Sequence, residues 1–250
     1  MKKTYLADDI IIYEDFVSEE DCKRMIMVFD YLDKTREDYW KSISFYESYS
    51  SAYPEDGNPY LTEIGLTPTW FTDLENRFKE AAADLAKTDI SNMSKISFHS
   101  QRWVPGAFAP YHSDNSDEDG NMGAFTRSRY AGFLYLNDDF EGGELVFKGE
   151  DGNDGLTIKP KTGMFAIFHG GHKNMHRVEI VKKSTRYTFG SFWDDREESD
   201  YPEEEKKRWA EELAETRAMQ KEQSKEWSEL RDKGLRKDPN GNLHKEEEYL

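Results

Sequence analysis

The hydrophobic positions of this chain change their period twice. Near the start, the apolar run Ile10-Ile11-Ile12-Tyr13 predicts a strand over 10–13. Ser18-Glu19-Glu20-Asp21 then reads as a helix start with a capping-box pattern, and behind it Cys22, Met25, Ile26, Phe29 and Leu32 recur at the spacing of one helix face. Thr67-Pro68 opens a second helix, Thr as N-cap and Pro in the first turn, with the stripe Phe71, Leu74, Phe78, Ala81, Ala82 and Leu85. The stretch between them, 39–62, is rich in Tyr, Ser and Pro and reads as irregular strand or loop.

From about 95 to 193 the period shortens. Segments of β-branched and aromatic residues alternate with clusters of Gly, Pro, Asn and Asp, predicting strands over 95–104, 110–114, 128–137, 143–148, 155–159, 164–169, 174–181 and 184–193. Short strands at such regular spacing suggest a β-sandwich or barrel. After Trp193 the pattern shifts again: 194–250 is dominated by Glu, Lys, Arg and Asp, with only Trp209, Leu213, Trp227 and Leu230 at helical spacing for packing or an oligomer contact. The fold class expected is α+β. Its parts are a helical supporting region over 1–94, a strand-built core over 95–193 in the same domain, and a charged helical extension over 194–250.

Composition narrows the function. The chain of 250 residues is long enough for a sizeable core, and its six Trp, 14 Tyr and 15 Phe oppose wholesale disorder. With 34 basic against 51 acidic residues the formal charge is −17, which disfavours nucleic acid and anionic membranes as partners. No apolar run approaches the roughly 20 residues of a membrane span. Asp8, Asp9, Glu14 and Asp15 interrupt any signal-peptide core behind Met1-Lys2-Lys3, so a cytoplasmic location is expected. Cys22 is the single cysteine, so no intrachain disulfide can form.

Candidate chemistry begins with the six histidines, at 99, 112, 169, 172, 176 and 244. His112 has a carboxylate two residues on, Asp114, and in an extended chain both side chains point to one side. Together they could hold a metal ion, with a third ligand from elsewhere; two His and one carboxylate are the donor set of non-haem Fe(II) oxygenases. His169, His172 and His176 all lie in the right region for that third ligand, and His176 alone stands ten residues before Arg186. Arg186 opens the aromatic-rich strand Arg186-Tyr187-Thr188-Phe189-Gly190-Ser191-Phe192-Trp193, in which Arg186, Thr188 and Gly190 share a face. Such a guanidinium is costly to bury without an anion, and a small dicarboxylate would serve.

Other features fall in order around these: Pro105-Gly106 six residues before His112, Arg129, Tyr135-Leu136-Asn137, Gly142-Gly143-Glu144-Leu145-Val146-Phe147, and Lys159-Pro160-Lys161-Thr162-Gly163 ahead of Phe165 and Phe168. With His112-x-Asp114, His176 and Arg186, the span from Lys95 to Trp193 resembles the Fe(II)/2-oxoglutarate dioxygenases of the prolyl 4-hydroxylase type. The resemblance implies a double-stranded β-helix, or jelly roll, with helices packed on one side. It implies that His112, Asp114 and His176 bind Fe(II), and that Arg186 grips the distal carboxylate of 2-oxoglutarate with Tyr135 as hydroxyl partner. Thr188 is a weaker candidate for the same carboxylate. It implies O2 as second cosubstrate, ascorbate as reductant, and hydroxylation of an unactivated C–H bond with release of succinate and CO2, peptidyl proline being the substrate expected. The chain departs from the family at Trp103, where a Tyr is usual three residues before the glycine.

Rival readings are a free amino acid or other small molecule as substrate, nucleic-acid demethylation, and a jelly roll that binds a peptide or glycan without catalysis. Demethylation is opposed by the acidic charge and by the lack of a second downstream Arg. The acidic loop 115–124 is expected to be too polar to pack and to form a mobile lid. The stretch 39–62, with Tyr46, Tyr49 and Tyr53, would form a second lid over an extended peptide carrying Lys or Arg near the target. Gly142-Gly143 could be only a turn, and two glycines would also allow a strand to pass close to the metal site.

Overall fold

The computed structural model describes residues 1–35, 41–42, 48–52 and 59–250, with side chains described for 1–35 and 60–250. Of the second-lid reading, Tyr46 and Tyr53 lie outside the described residues and Tyr49 outside the described side chains. In chain order the elements are β1 (Lys2–Ala7), β2 (Ile10–Glu14), α1 (Glu19–Thr35), β3 (Lys41–Ser42), β4 (Ser48–Ala52), α2 (Pro59–Glu63), α3 (Pro68–Ala86), β5 (Ser94–Trp103), β6 (Ala109–His112), β7 (Tyr130–Tyr135), β8 (Leu145–Lys148), β9 (Asp154–Ile158), β10 (Phe165–His169), β11 (His176–Val178), β12 (Arg186–Asp194), α4 (Glu203–Arg231), β13 (Leu235–Lys237) and β14 (Leu243–Lys245).

The strands form an eight-stranded sheet in the order β1-β2-β10-β7-β12-β5-β4-β3, a four-stranded sheet β6-β11-β8-β9, and a two-stranded hairpin β13-β14. The two large sheets enclose the jelly-roll interior. Alternation along each strand gives the large sheet two apolar faces. The outer one, with Ile11, Tyr13, Leu134, Phe165, Phe189 and Trp193, packs against α1 and α3. The inner one, with Trp103, Ala131, Tyr135, Ala166, Phe168 and Phe192, meets Leu145, Phe147 and Val178 of the small sheet. Helix α3 begins where Thr67 accepts a hydrogen bond from the Trp70 amide, and ends at Lys87 in the left-handed region. Its Phe78 stacks on Phe16 and meets Phe165 and Phe189, clamping helix to sheet.

All eight strands expected between 95 and 193 are present. The region 1–94 is more than helical: β1, β2, β3 and β4 belong to the large sheet, β2 pairing with β10 and β4 with β5. Beyond Trp193, α4 is followed by the β13-β14 hairpin, which the charge pattern did not suggest. This extension packs on the core. Tyr201 donates to Asp194 at 2.7 Å, Trp209 meets Tyr201 edge-on, and the Lys183 amide donates to the Tyr249 carbonyl at 2.7 Å. No helix among the described residues is long and apolar enough to cross a membrane.

Candidate active site

Strands β6 and β11 pair antiparallel with His112 opposite His176, so two histidines far apart in sequence become neighbours with ring centroids 4.4 Å apart. Asp114 follows β6, where its amide and that of Asn115 both donate to the Gly170 carbonyl, at 2.9 and 3.1 Å. One ligand atom from each of His112, Asp114 and His176 lies within 4.8 Å of the others, and the His176 Nε2 to Asp114 Oδ2 distance is 3.9 Å. His169 and His172, the alternatives, are elsewhere. His169 turns Nδ1 to the Gly171 amide, and His172 packs against Gly120.

The hydrogen bonds fix the tautomers. Nδ1 of His112 faces the Pro110 carbonyl at 2.9 Å, and Nδ1 of His176 faces the Asn174 carbonyl at 3.0 Å. A carbonyl only accepts, so both Nδ1 atoms carry the proton and both Nε2 atoms present lone pairs. Burial pushes both imidazoles down to about 4, the His176 ring adding to the shift at His112. His112 keeps an exposed edge at the rim whereas His176 is 2% exposed, so His176 is the more strongly desolvated. Burial pushes the Asp114 carboxyl up to about 6, against the pull of His112. At neutral pH the site therefore holds two neutral imidazoles and one carboxylate. Asp114 Oδ2 is buried with no hydrogen-bond partner, which an unassisted carboxylate oxygen tolerates poorly. These donors fit an Fe(II) ion. Gly170 is required beside them: a Cβ there would lie 2.5 Å from the Ser128 carbonyl and 3.1 Å from Asp114 Cβ.

Deeper in the interior, Arg186 is 2% exposed and has no ion pair among the described residues. Among the described residues its Nε lacks a hydrogen-bond partner, as do the Tyr135 hydroxyl and the Trp103 indole N–H, all three buried. The guanidinium carbon lies 5.1 Å from the Tyr135 ring centre and 5.2 Å from that of Trp103. Burial lowers the Arg186 pKa and raises that of Tyr135, yet a guanidinium stays charged at any ordinary pH. One buried cation with an unused N–H of its own and two further unused donors beside it is the complement of a carboxylate. Asn137 sets the backbone at this point, donating to the Thr185 carbonyl at 2.7 Å and accepting from the Tyr187 amide at 2.8 Å.

Thr188 shares the face of Arg186, as expected, but its hydroxyl donates to Gln101 Oε1 at 3.0 Å, so its proton is committed within the protein. Of the glycine pair, Gly143 lies against Phe140 and Arg186 and Gly142 against the Ile180 backbone; the candidate metal ligands are not among their nearest neighbours. A Cβ on Gly142 would strike the Ile180 carbonyl at 1.9 Å, and one on Gly143 would meet Arg186 Cδ at 3.0 Å, both at positive φ. The loop 115–124 also differs from expectation, because it packs. Gly120 lies on the His172 ring, the Met122 carbonyl accepts from Arg208 of α4, and Asp117 accepts from the amides of Asp119 and Asn121. The sequence reading missed Gln101 and Gly170, which carry no motif, and gave Asn137 no role.

Residues 98–194 match the family model of the 2OG-Fe(II) oxygenase superfamily. Prolyl 3-hydroxylase 2 of Homo sapiens is 40% identical over 85 residues, 31% of this chain and 12% of that protein. The 2-oxoglutarate and iron-dependent oxygenase domain-containing protein 3 of Xenopus tropicalis is 46% identical over 61 residues, 23% of this chain and 19% of that protein. The chain thus spans a small part of these relatives' length. Among solved structures, a Pseudomonas putida prolyl-4-hydroxylase superposes with a TM-score of 0.52 at 14% identity, covering 76% of this chain and 94% of that one. A Trichoplax adhaerens prolyl hydroxylase in complex with a hypoxia inducible factor oxygen degradation domain peptide fragment gives 0.53 at 14%, covering 76% and 84%. The structural likeness establishes the jelly-roll fold.

Proposed function

We propose that this chain, whose residues 98–194 belong to the 2OG-Fe(II) oxygenase superfamily and are of prolyl hydroxylase type, hydroxylates a prolyl residue of a polypeptide. Fe(II), 2-oxoglutarate and O2 are the reactants that the family implies. The observation that carries the reading is the pairing of two sites in one interior: a two-His, one-carboxylate donor set at the rim, and a buried, unpaired Arg186 behind it.

His112, Asp114 and His176 would hold the ion. Bound Fe(II) supplies activation of O2 at the cost of 2-oxoglutarate, which leaves as succinate and CO2. The protein binds, orients and shields. The Nδ1–H bonds to Pro110 and Asn174 aim both Nε2 lone pairs without the ion's help, so little reorganisation accompanies binding. Arg186 and Tyr135 would take the far carboxylate of 2-oxoglutarate, replacing an unpaired buried charge with a charge-assisted pair. Trp103 puts an N–H where relatives of this type have a phenol; an indole donates and cannot accept, so a carboxylate oxygen is the partner it suits. Phe147 and Phe168 pack against His176 and keep water from the inner side of the site.

Peptidyl proline follows from the relatives' names, which are prolyl hydroxylases in humans and bacteria, and from the acidic rim, which suits a polypeptide with basic residues. The test is turnover of 2-oxoglutarate to succinate with Fe(II), ascorbate and a library of proline-containing peptides. Products are read by mass for the gain of one oxygen atom on proline. Succinate formed in step with peptide oxidation is the expected result. Oxidation of a free amino acid with no peptide accepted would overturn the substrate reading, and no succinate under any condition would overturn the enzymatic one.

A further inference from the structure

We propose that His99 reads the primary substrate: Thr188 and Gln101 hold it in one tautomer so that its Nδ1–H meets a neutral acceptor, an amide carbonyl of the polypeptide. The proposal rests on the peptide reading above and names the residue that would recognise the chain being oxidised.

On the inner face of the large sheet, Trp103, Gln101 and His99 of β5 stand opposite Arg186, Thr188 and Gly190 of β12 in register. Thr188 Oγ1 donates to Gln101 Oε1 at 3.0 Å, which fixes the amide and turns its nitrogen to His99 Nε2, 3.2 Å away. An amide nitrogen can only donate. His99 Nε2 is therefore the unprotonated nitrogen, and the ring proton sits on Nδ1. That N–H has no partner among the described residues. His99 is half-buried and its Nδ1 is not a sealed, unpartnered atom, so this N–H is within reach of solvent or of a ligand entering the interior.

The ring is held in place as well. It stacks on Phe192 with centroids 5.2 Å apart and planes 15° from parallel. Gly190 leaves the space it needs, since a Cβ there would lie 3.2 Å from His99 Nε2. Burial also changes along the sheet. The row Gln101–Thr188–Tyr135 is buried throughout. In the next row, His99–Gly190–Phe133, His99 and Phe133 regain partial exposure on either side of the glycine. The interior opens at that row, on the side away from Arg186. An aromatic surface continues from there to the metal ligands: Phe133 meets Phe168, and Phe168 meets His176. Burial pushes the His99 imidazole down to about 4, so it is neutral at pH 7. A neutral donor suits a carbonyl; an anionic partner would have drawn the proton on.

The test uses the full-length protein with 15N-labelled histidine. Imidazole NMR at pH 7 is expected to show His99 protonated at Nδ1, and Thr188→Val or Gln101→Leu to relax that preference. Adding a proline peptide that the enzyme oxidises to protein loaded with diamagnetic Zn(II) and 2-oxoglutarate should shift the Nδ1 resonance. His99→Phe should raise KM for that peptide about tenfold, the loss of one hydrogen bond, while keeping the thermal stabilisation given by Mn(II) with 2-oxoglutarate. His99→Asn, which offers an amide N–H near the same place, should recover part of the loss. An Nε2–H tautomer, or an unchanged KM in His99→Phe, overturns this inference alone. Failure to oxidise any peptide while 2-oxoglutarate is consumed overturns the peptide reading and this inference with it.

Discussion

At the residue scale, Asp114 links stability to the proposed iron site. Burial raises its carboxyl from the usual 3.8 to about 6. A group raised in the folded state contributes stability that is full below its unfolded value and lost as pH rises through the folded one. At pH 7 the ionised Asp114 therefore costs the metal-free protein on the order of 3 kcal/mol. Asp114→Asn should raise the melting temperature of the metal-free protein at pH 7 by several degrees and should lose most of the stabilisation by Mn(II) with 2-oxoglutarate. The difference between variant and wild type should shrink as pH falls through 6. The wild-type curve alone would not show the sign. His112 and His176, lowered to about 4, act oppositely, with stability present above 6.5 and lost as pH falls through 4. A variant that is no more stable than wild type at pH 7 would mean that Asp114 is not desolvated. Arg186→Lys makes a second test, since it keeps the charge but loses the two-pronged geometry. It should raise the KM for 2-oxoglutarate tenfold or more, with a much smaller effect on the peptide; equal effects would make Arg186 a structural residue.

At the scale of elements, the eight core strands were legible because a sandwich buries one side of each strand and stamps alternation on the sequence. The helices α1 and α3 were legible from their apolar stripes and, in α3, the Thr-Pro start. The strands that escaped lack that stamp. In β1 every residue is at least partly exposed, and β13 and β14 are three residues each with charged side chains. The candidate ligands were legible from His112-x-Asp114 and the spacing of His176 to Arg186. The close approach of Gly143 to Arg186 and of Gly170 to Asp114 was not, because it depends on segments distant in sequence. Only the rest of the extension was read as a solvated face; Trp209 and Trp227, read as a packing or oligomer stripe, are buried, and their spacing of five helical turns puts them on one side of α4. Arg236 of β13 lies against Gly106, and a Cβ there would stand 3.1 Å from its Cδ. On the other side of β6, Arg208 of α4 holds the Met122 carbonyl. The extension thus braces both approaches to the strand that bears His112. Truncation after residue 200 should lower the melting temperature and weaken Mn(II) binding severalfold while leaving all three ligands in the chain. Unchanged Mn(II) affinity in a folded truncation would show that these contacts do not support the site.

At the scale of the molecule, a formal charge of −17 sets a field that favours cationic partners in encounter and orientation. Near the candidate ligands, acidic side chains gather in the loop after Asp114. Asp117, Glu118 and Asp119 are exposed there, and Glu212 and Glu215 of α4 face the same groove, whose lining includes Asp117, Met122 and Met219. Arg208 is the basic side chain among its lining residues. A polypeptide with Lys or Arg a few residues from the target proline would meet favourable charge along this rim, whereas an acidic one would be repelled. Exposed charges act through water and are screened within about 10 Å at 0.1 M salt. The preference should therefore be modest, severalfold in kcat/KM between matched basic and acidic peptides at low salt. It should be carried by KM and collapse as salt approaches 0.5 M, roughly a Debye length of 4–5 Å. Charge reversal at Glu215 should remove part of it without altering the stabilisation by Mn(II) and 2-oxoglutarate, because Glu215 is outside the candidate ligand set, whereas Glu212 is paired with Arg208 and is left unchanged. A preference for basic peptides that survives high salt would place recognition in short-range contacts inside the jelly roll. Equal turnover of acidic and basic peptides at low salt would remove the rim from substrate selection altogether.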